Sequence, residues 1–388
     1  MKRWAIAALA AVPLLVACGS DTNVNTKTDL ASAKQGGSTS ICGTGEDTRP
    51  TPSAITQLDE ATGQITGAGS SFVAPLMTVW SGEFENTSGA KVTYESVGSG
   101  AGVKQISAGA VDFGATDAPM SDSELAAVEE GDILHVPLVF GAVVPAYHLT
   151  GQKTPLRFTG EVLGKIFAGQ ITRWDDSELA ALNPGSNLPN EPILVAHRLD
   201  SSGTTAIFTD YLTKTSPAWV ETLGGADKSA GKTVAWPVGN AGKGNEGVAA
   251  FVKQTEGALG YVELTYALSN GLSAGWVKNR AGHFIQPCVE TVTAAARDFE
   301  IPEDLRFSLT DSPGTDAYPI AGTVWALVHQ EQKDPTKAKT LVNFLVFALD
   351  AGQTKALTHN YAPLSPDLRT LALTQIKRIE ANGQPIAR

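Results

Sequence analysis

The segment from Arg198 to Thr204 combines an arginine, an aspartate, hydroxyl groups and a glycine between an apolar run and a helical pattern. The apolar run at 192–196 is typical of a buried strand, and residues 205–212 are typical of a helix. The first N–H groups of a helix have no partners within it and carry partial positive charge, so they form an anion site. A neighbouring guanidinium adds a planar set of donors that fits a tetrahedral oxyanion. The alternative is that these residues only cap the helix.

Two other segments place glycines and hydroxyl groups before helical patterns, at 67–72 (GAGSSF) and at 98–102 (GSGAG). Alone, the first is a tight turn with a serine N-cap, and the second lacks the full spacing of a dinucleotide-binding fingerprint. Together with the arginine, three such helix starts can surround a small anion. Each charge-assisted hydrogen bond contributes about 1.5–3 kcal/mol, so several of them give micromolar or tighter binding.

Asp117 follows a short predicted strand at 111–115. Taken alone, an aspartate before Ala-Pro is a turn residue. A carboxylate that faces an anion is repulsive unless the ligand brings a proton. Protonated phosphate can donate that proton and sulfate at neutral pH cannot, and an unpaired buried acceptor discriminates by as much as about 10⁴–10⁵. Within an anion site, Asp117 therefore predicts selectivity for phosphate over sulfate.

The elements that must position these loops alternate between strands and helices, which predicts an α/β fold with mainly parallel sheets. In such sheets ligands bind beyond the carboxyl ends of the strands, where helices begin. The loops at Ser71, Ser99, Asp117 and Ser202 all follow predicted strands. The other predicted strands are 91–97, a part of 135–149, 233–238, 258–264 and 323–329, and the other predicted helices are 72–85, 103–109, 242–254 and 335–352.

Composition and charge narrow the function. The 388 residues suffice for one large or two medium domains, and the net charge of −11 argues against nucleic-acid binding. The same charge repels an anion at long range, so local donors must dominate at the site, and salt screens distant charges beyond roughly 10 Å. The sequence contains no Gly-x-Ser-x-Gly elbow and no complete P-loop, and its six histidines are scattered. We therefore expect no enzyme and no cofactor.

The first 17 residues have a basic start and a short apolar run, which predicts a signal peptide. The run ends in Leu-Val-Ala-Cys at Cys18, which resembles a bacterial lipobox and predicts a lipidated (palmitate-bearing) cysteine. The alternative is an ordinary signal with a chance cysteine. Residues 18–61 are rich in Ser, Thr, Asp, Gly and Pro and predict a flexible tether. No other apolar stretch is long enough to cross a membrane.

Two further cysteines, Cys42 and Cys288, remain in the mature chain. Outside the cytoplasm such a pair favours a disulfide over two free thiols. We expect no metal site, since two cysteines without suitably spaced histidines supply too few ligands.

The combined motifs resemble the substrate-binding proteins of bacterial ABC phosphate transporters. The resemblance extends from about residue 65 to the C-terminus. The segments that carry it are 67–72, 98–106, 111–119, 198–204, 242–247 and 260–263.

The resemblance implies a two-lobe periplasmic binding protein fold of type II with a double-crossover hinge and phosphate in the cleft. Lobe I would comprise 62–143 and 315–388, and lobe II 144–314. The protein would be exported, anchored by lipid to the outer face of the cell membrane, and would deliver phosphate to an ABC permease and ATPase complex. The alternatives are a receptor for another oxyanion and an exported phosphatase, which would need a nucleophile or metals.

The resemblance also implies the roles of single residues. Arg198 would make the ionic contact, oriented by Asp200, and Asp117 would accept the proton of phosphate. The remaining binding residues would donate through hydroxyl or backbone N–H groups: Ser71, Phe72, Ser99, Ser202, Gly203 and Thr204.

Overall fold

The computed structural model describes residues 42–43, 63–129, 131–297 and 299–386. The predicted signal peptide, Cys18 and most of the predicted tether lie outside these residues. Within them, no helix combines the length and the apolar character that a membrane crossing requires.

The strands of the described chain follow one another as β1 (Gln64–Gly69), β2 (Lys91–Ser96), β3 (Phe113–Thr116), β4 (Ile133–Tyr147), β5 (Arg157–Phe158), β6 (Leu194–Arg198), β7 (Asn240–Gly242), β8 (Ala258–Glu263), β9 (Ser273–Ala274), β10 (Trp276–Lys278), β11 (Phe284–Ile285), β12 (Ala321–His329), β13 (Glu331–Gln332), β14 (Glu380–Ala381) and β15 (Gln384–Pro385). The main sheet has the order β2-β1-β3-β12-β4-β8-β6-β7, and β9 pairs with β4. Two small sheets have the orders β11-β10-β5 and β13-β14-β15.

The helices follow one another as α1 (Ala74–Ser88), α2 (Ser99–Ser107), α3 (Asp122–Ala126), α4 (Gly160–Phe167), α5 (Ser177–Leu182), α6 (Gly203–Thr215), α7 (Pro217–Leu223), α8 (Ala226–Ser229), α9 (Gly244–Gln254), α10 (Leu264–Ser269), α11 (Val289–Ala295), α12 (Pro335–Leu349), α13 (Ala351–Thr358) and α14 (Pro366–Ile376). Strands and helices alternate through most of the chain, as predicted.

The long strand β4 divides the main sheet into two parts. Its segment 133–142 pairs antiparallel with β12, and its segment 143–147 pairs antiparallel with β8. We call β2, β1, β3, β12 and the first segment the first half-sheet, and β8, β6, β7, β9 and the second segment the second half-sheet. The expected parallel pairing holds for β1, β2 and β3 and for β6, β7 and β8, whereas the central strands are antiparallel.

Helix α1 shows how the apolar spacing determines the packing. Leu76, Met77, Trp80 and Phe84 are buried on one face, as the helical period predicts. Asp334 caps α12, since its side chain accepts two N–H groups of the first turn. That helix ends at Leu349, however, earlier than predicted.

The strand predicted at 233–238 is wrong, because this segment is a loop. Its apolar side chains pack in an aromatic cluster instead. The ring of Trp236 stacks on that of His197 with 5.1 Å between centroids, and its centroid lies 5.4 Å from that of Trp219. Pro237 in the same segment has no N–H to donate to a neighbouring strand. The edge of the second half-sheet is formed by β7, which follows this loop.

Candidate anion-binding site

The side chains predicted for the site lie at the carboxyl ends of strands in both half-sheets. The loops after β1, β2 and β3 contribute from the first half-sheet, and those after β6 and β7 from the second. Parallel strands end at the same edge of a sheet, so the loops of each half-sheet are neighbours. All eight predicted binding residues are buried: Ser71, Phe72, Ser99, Asp117, Arg198, Ser202, Gly203 and Thr204.

Arg198 ends β6, and Asp200 holds its guanidinium from two residues further along. Arg198 Nε donates to Asp200 Oδ1 at 2.9 Å, and Nη2 donates to Oδ2. The N–H of Gly244 also donates to Asp200 Oδ1, at 2.9 Å. Burial acts to raise the pKa of Asp200, but the hydrogen bonds and charge of Arg198 outweigh it and hold this pKa below its usual value. The ionised Asp200 therefore fixes the orientation of the guanidinium.

Helix α6 begins beside this ion pair. Ser202 is its N-cap and accepts the N–H of Thr205 at 3.2 Å. A side chain on Gly203 would place its Cβ only 2.6 Å from Asp117 Oδ2, so glycine is what lets the helix start approach that carboxylate. Thr204 Oγ1 accepts from Arg198 Nη1 at 3.2 Å. The helix start therefore contacts both the cation and the carboxylate of the site.

Asp117 follows β3 and lies 3% exposed among these groups. Its Oδ1 accepts the hydroxyl of Ser70, and its Oδ2 accepts that of Thr204 at 3.4 Å. Burial raises the pKa of Asp117 to about 6, although the hydrogen bond from Ser70 and the charge of Arg198 act to lower it. Above that pH the group is a carboxylate, an acceptor inside a site made mostly of donors.

Ser71 and Phe72 lie between β1 and α1. Ser71 Oγ accepts two bonds from Asn245, from its N–H at 3.0 Å and from its Nδ2 at 2.9 Å, which leaves the hydroxyl proton of Ser71 to donate elsewhere. The alternative that a serine caps α1 is wrong, since the N-cap is Val73 and no side chain bonds there. Phe72 contributes its backbone, and its N–H donates to Ser70 Oγ at 3.0 Å.

Ser99 is the first residue of α2, and its Oγ accepts the N–H of Asp117 at 3.4 Å. The start of this helix touches the loop after β6. Gly98 has a φ of 92°, and a Cβ there would lie 2.2 Å from Asp200 Oδ2. The N–H of Gly100 donates to the carbonyl of Ser201 at 3.0 Å. Glycines at 98 and 100 thus allow direct contact between the start of α2 in the first half-sheet's loops and the loop after β6 of the second half-sheet.

Two residues of the site were not assigned from the sequence, Ser70 and Asn245. Ser70 holds Asp117, but nothing in the sequence distinguishes it from the adjacent Ser71. Asn245 is fully buried in the first turn of α9, and its Nδ2 also donates to Thr204 Oγ1 at 3.1 Å. A polar amide at a glycine-rich helix start was the available signal for Asn245, in a segment that also carried the resemblance.

The predicted disulfide is confirmed. Cys42 and Cys288 are bonded, with 6.0 Å between their Cα atoms. Glu290 lies beside them, and its carboxylate accepts the N–H of Gly43 at 3.1 Å. Because each sulfur is bonded to the other, this group of three does not supply thiolate ligands for a metal.

The profile of the PBP superfamily domain matches residues 54–351 of the chain. Curated relatives match over most of the chain. The phosphate-binding protein PstS of Xylella fastidiosa (strain 9a5c) is 40% identical over 321 residues, which are 82% of this chain and 84% of the relative. The phosphate-binding protein PstS 3 of Mycobacterium leprae is 30% identical over 390 residues, 97% of this chain and 98% of the relative.

Solved structures show the same fold. A high-affinity periplasmic phosphate-binding protein (PfluDING), determined with phosphate bound, superposes with a TM-score of 0.64 at 20% identity and covers 83% of this chain and 99% of its own. A phosphate-binding protein from Stenotrophomonas maltophilia gives the same TM-score and identity and covers 80% of this chain and 93% of its own. The predicted α/β architecture is therefore that of periplasmic binding proteins.

Proposed function

The chain belongs to the PBP superfamily and, within it, to the family of the phosphate-binding proteins PstS, and we propose that it binds inorganic phosphate and delivers it to an ABC import permease. One observation carries the proposal. Arg198 and Asp117 belong to different half-sheets, and the hydroxyl of Thr204 forms hydrogen bonds to both.

The carboxylate of Asp117 distinguishes between tetrahedral oxyanions. Arg198 and the start of α6 attract phosphate and sulfate alike. Asp117 accepts a hydrogen bond from a protonated oxygen of phosphate, whereas sulfate offers no proton and leaves the buried carboxylate facing an anion. The arrangement supports a site for phosphate that rejects sulfate.

The other contacts of the ligand follow from the same geometry. Ser71 and Ser99 donate their hydroxyls, and the N–H of Phe72 exchanges its bond to Ser70 Oγ for one to the ligand. On the opposite side, Ser202, Gly203 and Thr204 donate from the start of α6. These donors surround the anion from both half-sheets, and the N-terminal ends of α2 and α6, which carry partial positive charge, contribute to its binding.

We further propose that the chain has two lobes, 62–143 with 315–388 and 144–314, that close over phosphate and open to release it. The change of partner in β4 between residues 142 and 143 supports the first boundary. The N–H of Val143 donates to the carbonyl of Ile320 at 2.9 Å. This contact between the proposed first boundary and the segment that follows the proposed second boundary supports two adjacent crossings. A hinge of two adjacent crossings permits rotation without breaking either half-sheet.

The cellular setting is also a proposal. The basic start and apolar run of residues 1–17, with the cysteine at position 18, support export and a lipid anchor on the outer face of the cell membrane. From there the protein hands phosphate to the permease and ATPase complex. It performs no chemistry on the ligand.

Two alternatives are weaker. A receptor for another oxyanion shares Arg198 and the helix starts but gives Asp117 no proton to accept. A phosphatase would need Ser202 or a metal as its reactive group, and Ser202 Oγ already caps α6 by accepting the N–H of Thr205. Turnover of a phosphate ester by pure protein, abolished by Ser202→Ala, would favour the phosphatase.

Titration calorimetry of the intact protein with phosphate and with sulfate tests the proposal. We expect phosphate to bind with micromolar or tighter affinity and sulfate to bind at least a hundredfold more weakly. Absence of phosphate binding would refute the function, and equal affinity for the two anions would refute the role of Asp117.

A further inference from the structure

Three consecutive backbone carbonyls in the loop before α1 each accept a hydrogen bond from a tyrosine hydroxyl. Tyr94 Oη lies 2.7 Å from the carbonyl oxygen of Ser70, and Tyr266 Oη lies 2.7 Å from that of Ser71. Tyr361 Oη lies 2.7 Å from the carbonyl oxygen of Phe72. Tyrosine hydroxyls thus hold the carbonyls of residues 70, 71 and 72, in the loop that carries two of the proposed phosphate contacts.

The three tyrosines come from separate parts of the chain. Tyr94 belongs to β2, Tyr266 to α10, and Tyr361 follows α13. Their rings are fixed by packing: that of Tyr94 stacks on Phe113 with 6.1 Å between centroids, and Tyr361 is fully buried against Phe72. Burial raises the pKa of all three hydroxyls above the ordinary value for tyrosine, so each keeps its proton and donates.

Because each peptide bond is planar, a hydroxyl that holds a carbonyl also fixes the direction of the N–H group in the same peptide. A trans peptide is planar, and the carbonyl of one residue points opposite to the N–H of the next. A hydroxyl that holds the carbonyl of Ser71 therefore directs the N–H of Phe72 to the other side. That side is the site, since the N–H of Phe72 donates to Ser70 Oγ, which itself bonds to Asp117.

We propose that Tyr94, Tyr266 and Tyr361 are positioning residues of the anion site, whose hydroxyls hold the backbone of residues 70–72 so that the following N–H groups face the ligand. The inference rests on the proposed function. The three residues do not touch the anion; they remove the conformational freedom that the loop would otherwise lose on binding.

The hydroxyl of Tyr361 also lies 3.2 Å from Glu263 Oε2 at the end of β8, but the segment that carries Tyr361 pairs with Phe140 in the first half-sheet, where Phe72 also lies. Tyr266 differs from Tyr94 and Tyr361 because the carbonyl that it holds belongs to the other half-sheet. Its helix α10 follows β8 of the second half-sheet, whereas Ser71 follows β1 of the first. The same hydroxyl lies 2.9 Å from Glu246 Oε1, which accepts from Ser96 Oγ at 3.2 Å. The bond from Tyr266 to Ser71 therefore forms only when the two sides are together. It stabilises the closed protein, while Tyr94 and Tyr361 organise the loop in both states.

The test replaces each tyrosine by phenylalanine, which removes one hydroxyl and keeps the ring. The matched control is Tyr211→Phe, because Tyr211 is also buried and its hydroxyl donates to a backbone carbonyl, that of Lys278 at 3.2 Å, outside the loop. Calorimetry with inorganic phosphate should show the dissociation constant rising about fivefold for Tyr94→Phe and Tyr361→Phe, and unchanged for the control. In stopped-flow experiments, Tyr266→Phe should act mainly by raising the dissociation rate.

A second readout separates positioning from a general loss of stability. In phosphate-free protein, amide hydrogen exchange at residues 71–73 should become several times faster in the double variant Tyr94→Phe/Tyr361→Phe and remain unchanged in Tyr211→Phe. Wild-type protein that binds phosphate, together with folded variants of unchanged affinity, would overturn this inference alone. Wild-type protein that does not bind phosphate would overturn the proposed function and the inference with it.

Discussion

Asp117 follows a strand of the first half-sheet, Arg198 ends a strand of the second, and both bond to one hydroxyl, Thr204 Oγ1. This oxygen accepts from Arg198 Nη1 at 3.2 Å and donates to Asp117 Oδ2 at 3.4 Å. The carboxylate therefore lies one hydroxyl away from the guanidinium and does not pair with it, since Asp200 occupies Nε and Nη2. Both groups keep bonding capacity for a ligand.

Replacement of Arg198 by lysine should weaken phosphate binding by about ten- to a hundredfold. A lysine keeps the charge but loses the planar pair of donors that Asp200 orients, and a charge-assisted hydrogen bond contributes about 1.5–3 kcal/mol. Calorimetry measures the loss, and Arg173→Lys is the control, because Arg173 pairs with Asp175 on the surface. Unchanged affinity in Arg198→Lys would show that the arginine lies outside the binding site.

Asp117→Asn should relax the selectivity between phosphate and sulfate. An amide can donate to sulfate, so sulfate binding should strengthen while phosphate binding weakens by about tenfold or more. Competition calorimetry measures both, and Asp122→Asn is the control, since the Asp122 side chain is 91% exposed. A selectivity ratio equal to that of the wild type would contradict the assignment.

The advantage of wild type over Asp117→Asn should itself depend on pH. Burial raises the pKa of Asp117 to about 6, so above that pH the carboxylate accepts the phosphate proton and below it the neutral acid no longer needs one. The ratio of the dissociation constant of Asp117→Asn to that of wild type, both measured with phosphate, should be constant above pH 7. It should fall as the pH drops below 6. A ratio that does not vary between pH 5 and 8 would show that Asp117 does not titrate in this range.

Glu263→Gln should change how stability depends on pH. Burial raises the pKa of Glu263 to about 8 from an ordinary 4.5, so the folded chain keeps a proton that the unfolded chain loses between these values. This contribution to stability is complete below pH 4.5 and is lost as the pH rises to 8, by at most about 1.4 kcal/mol per pH unit. The free energy of unfolding, measured with urea at pH 5, 6.5 and 8, should fall more steeply with rising pH for wild type than for the glutamine variant. An equal dependence on pH in the two proteins would mean that Glu263 is ionised in the folded protein.

The ion pair between Lys232 and Glu124 should hold the two sides of the site together. Lys232 Nζ lies 2.8 Å from Glu124 Oε2, and the carbonyl of Lys232 accepts the N–H of Ser202 at 2.8 Å. Lys232→Met should weaken phosphate binding up to about fivefold, mainly through faster dissociation, with a smaller effect at high salt. Lys165→Met is the control, because Lys165 pairs with Glu178 away from the site. Equal phosphate dissociation rates for Lys232→Met and Lys165→Met would show that the ion pair between Lys232 and Glu124 does not hold the site closed.

The sequence predicted the loop from Arg198 to Thr204 because its chemistry is local: an apolar strand, a charged turn and a helix start follow one another directly. The sequence offered a signal for Asn245 itself but not for its partners, since Ser71 and Thr204 lie 174 and 41 residues away along the chain. The failure at 233–238 has a similar cause. An apolar run has the same pattern whether it pairs as a strand or packs as a loop on the aromatic cluster around Trp236.

A high-resolution crystal structure of the phosphate complex tests whether Arg198 and Asp117 bind the same ligand. We predict one tetrahedral anion in contact with the guanidinium of Arg198, the start of α6, Ser71 and Ser99, with one oxygen within hydrogen-bond distance of the Asp117 carboxylate. An anion bound elsewhere, or one whose oxygens all lie beyond hydrogen-bond distance of Asp117, would contradict it.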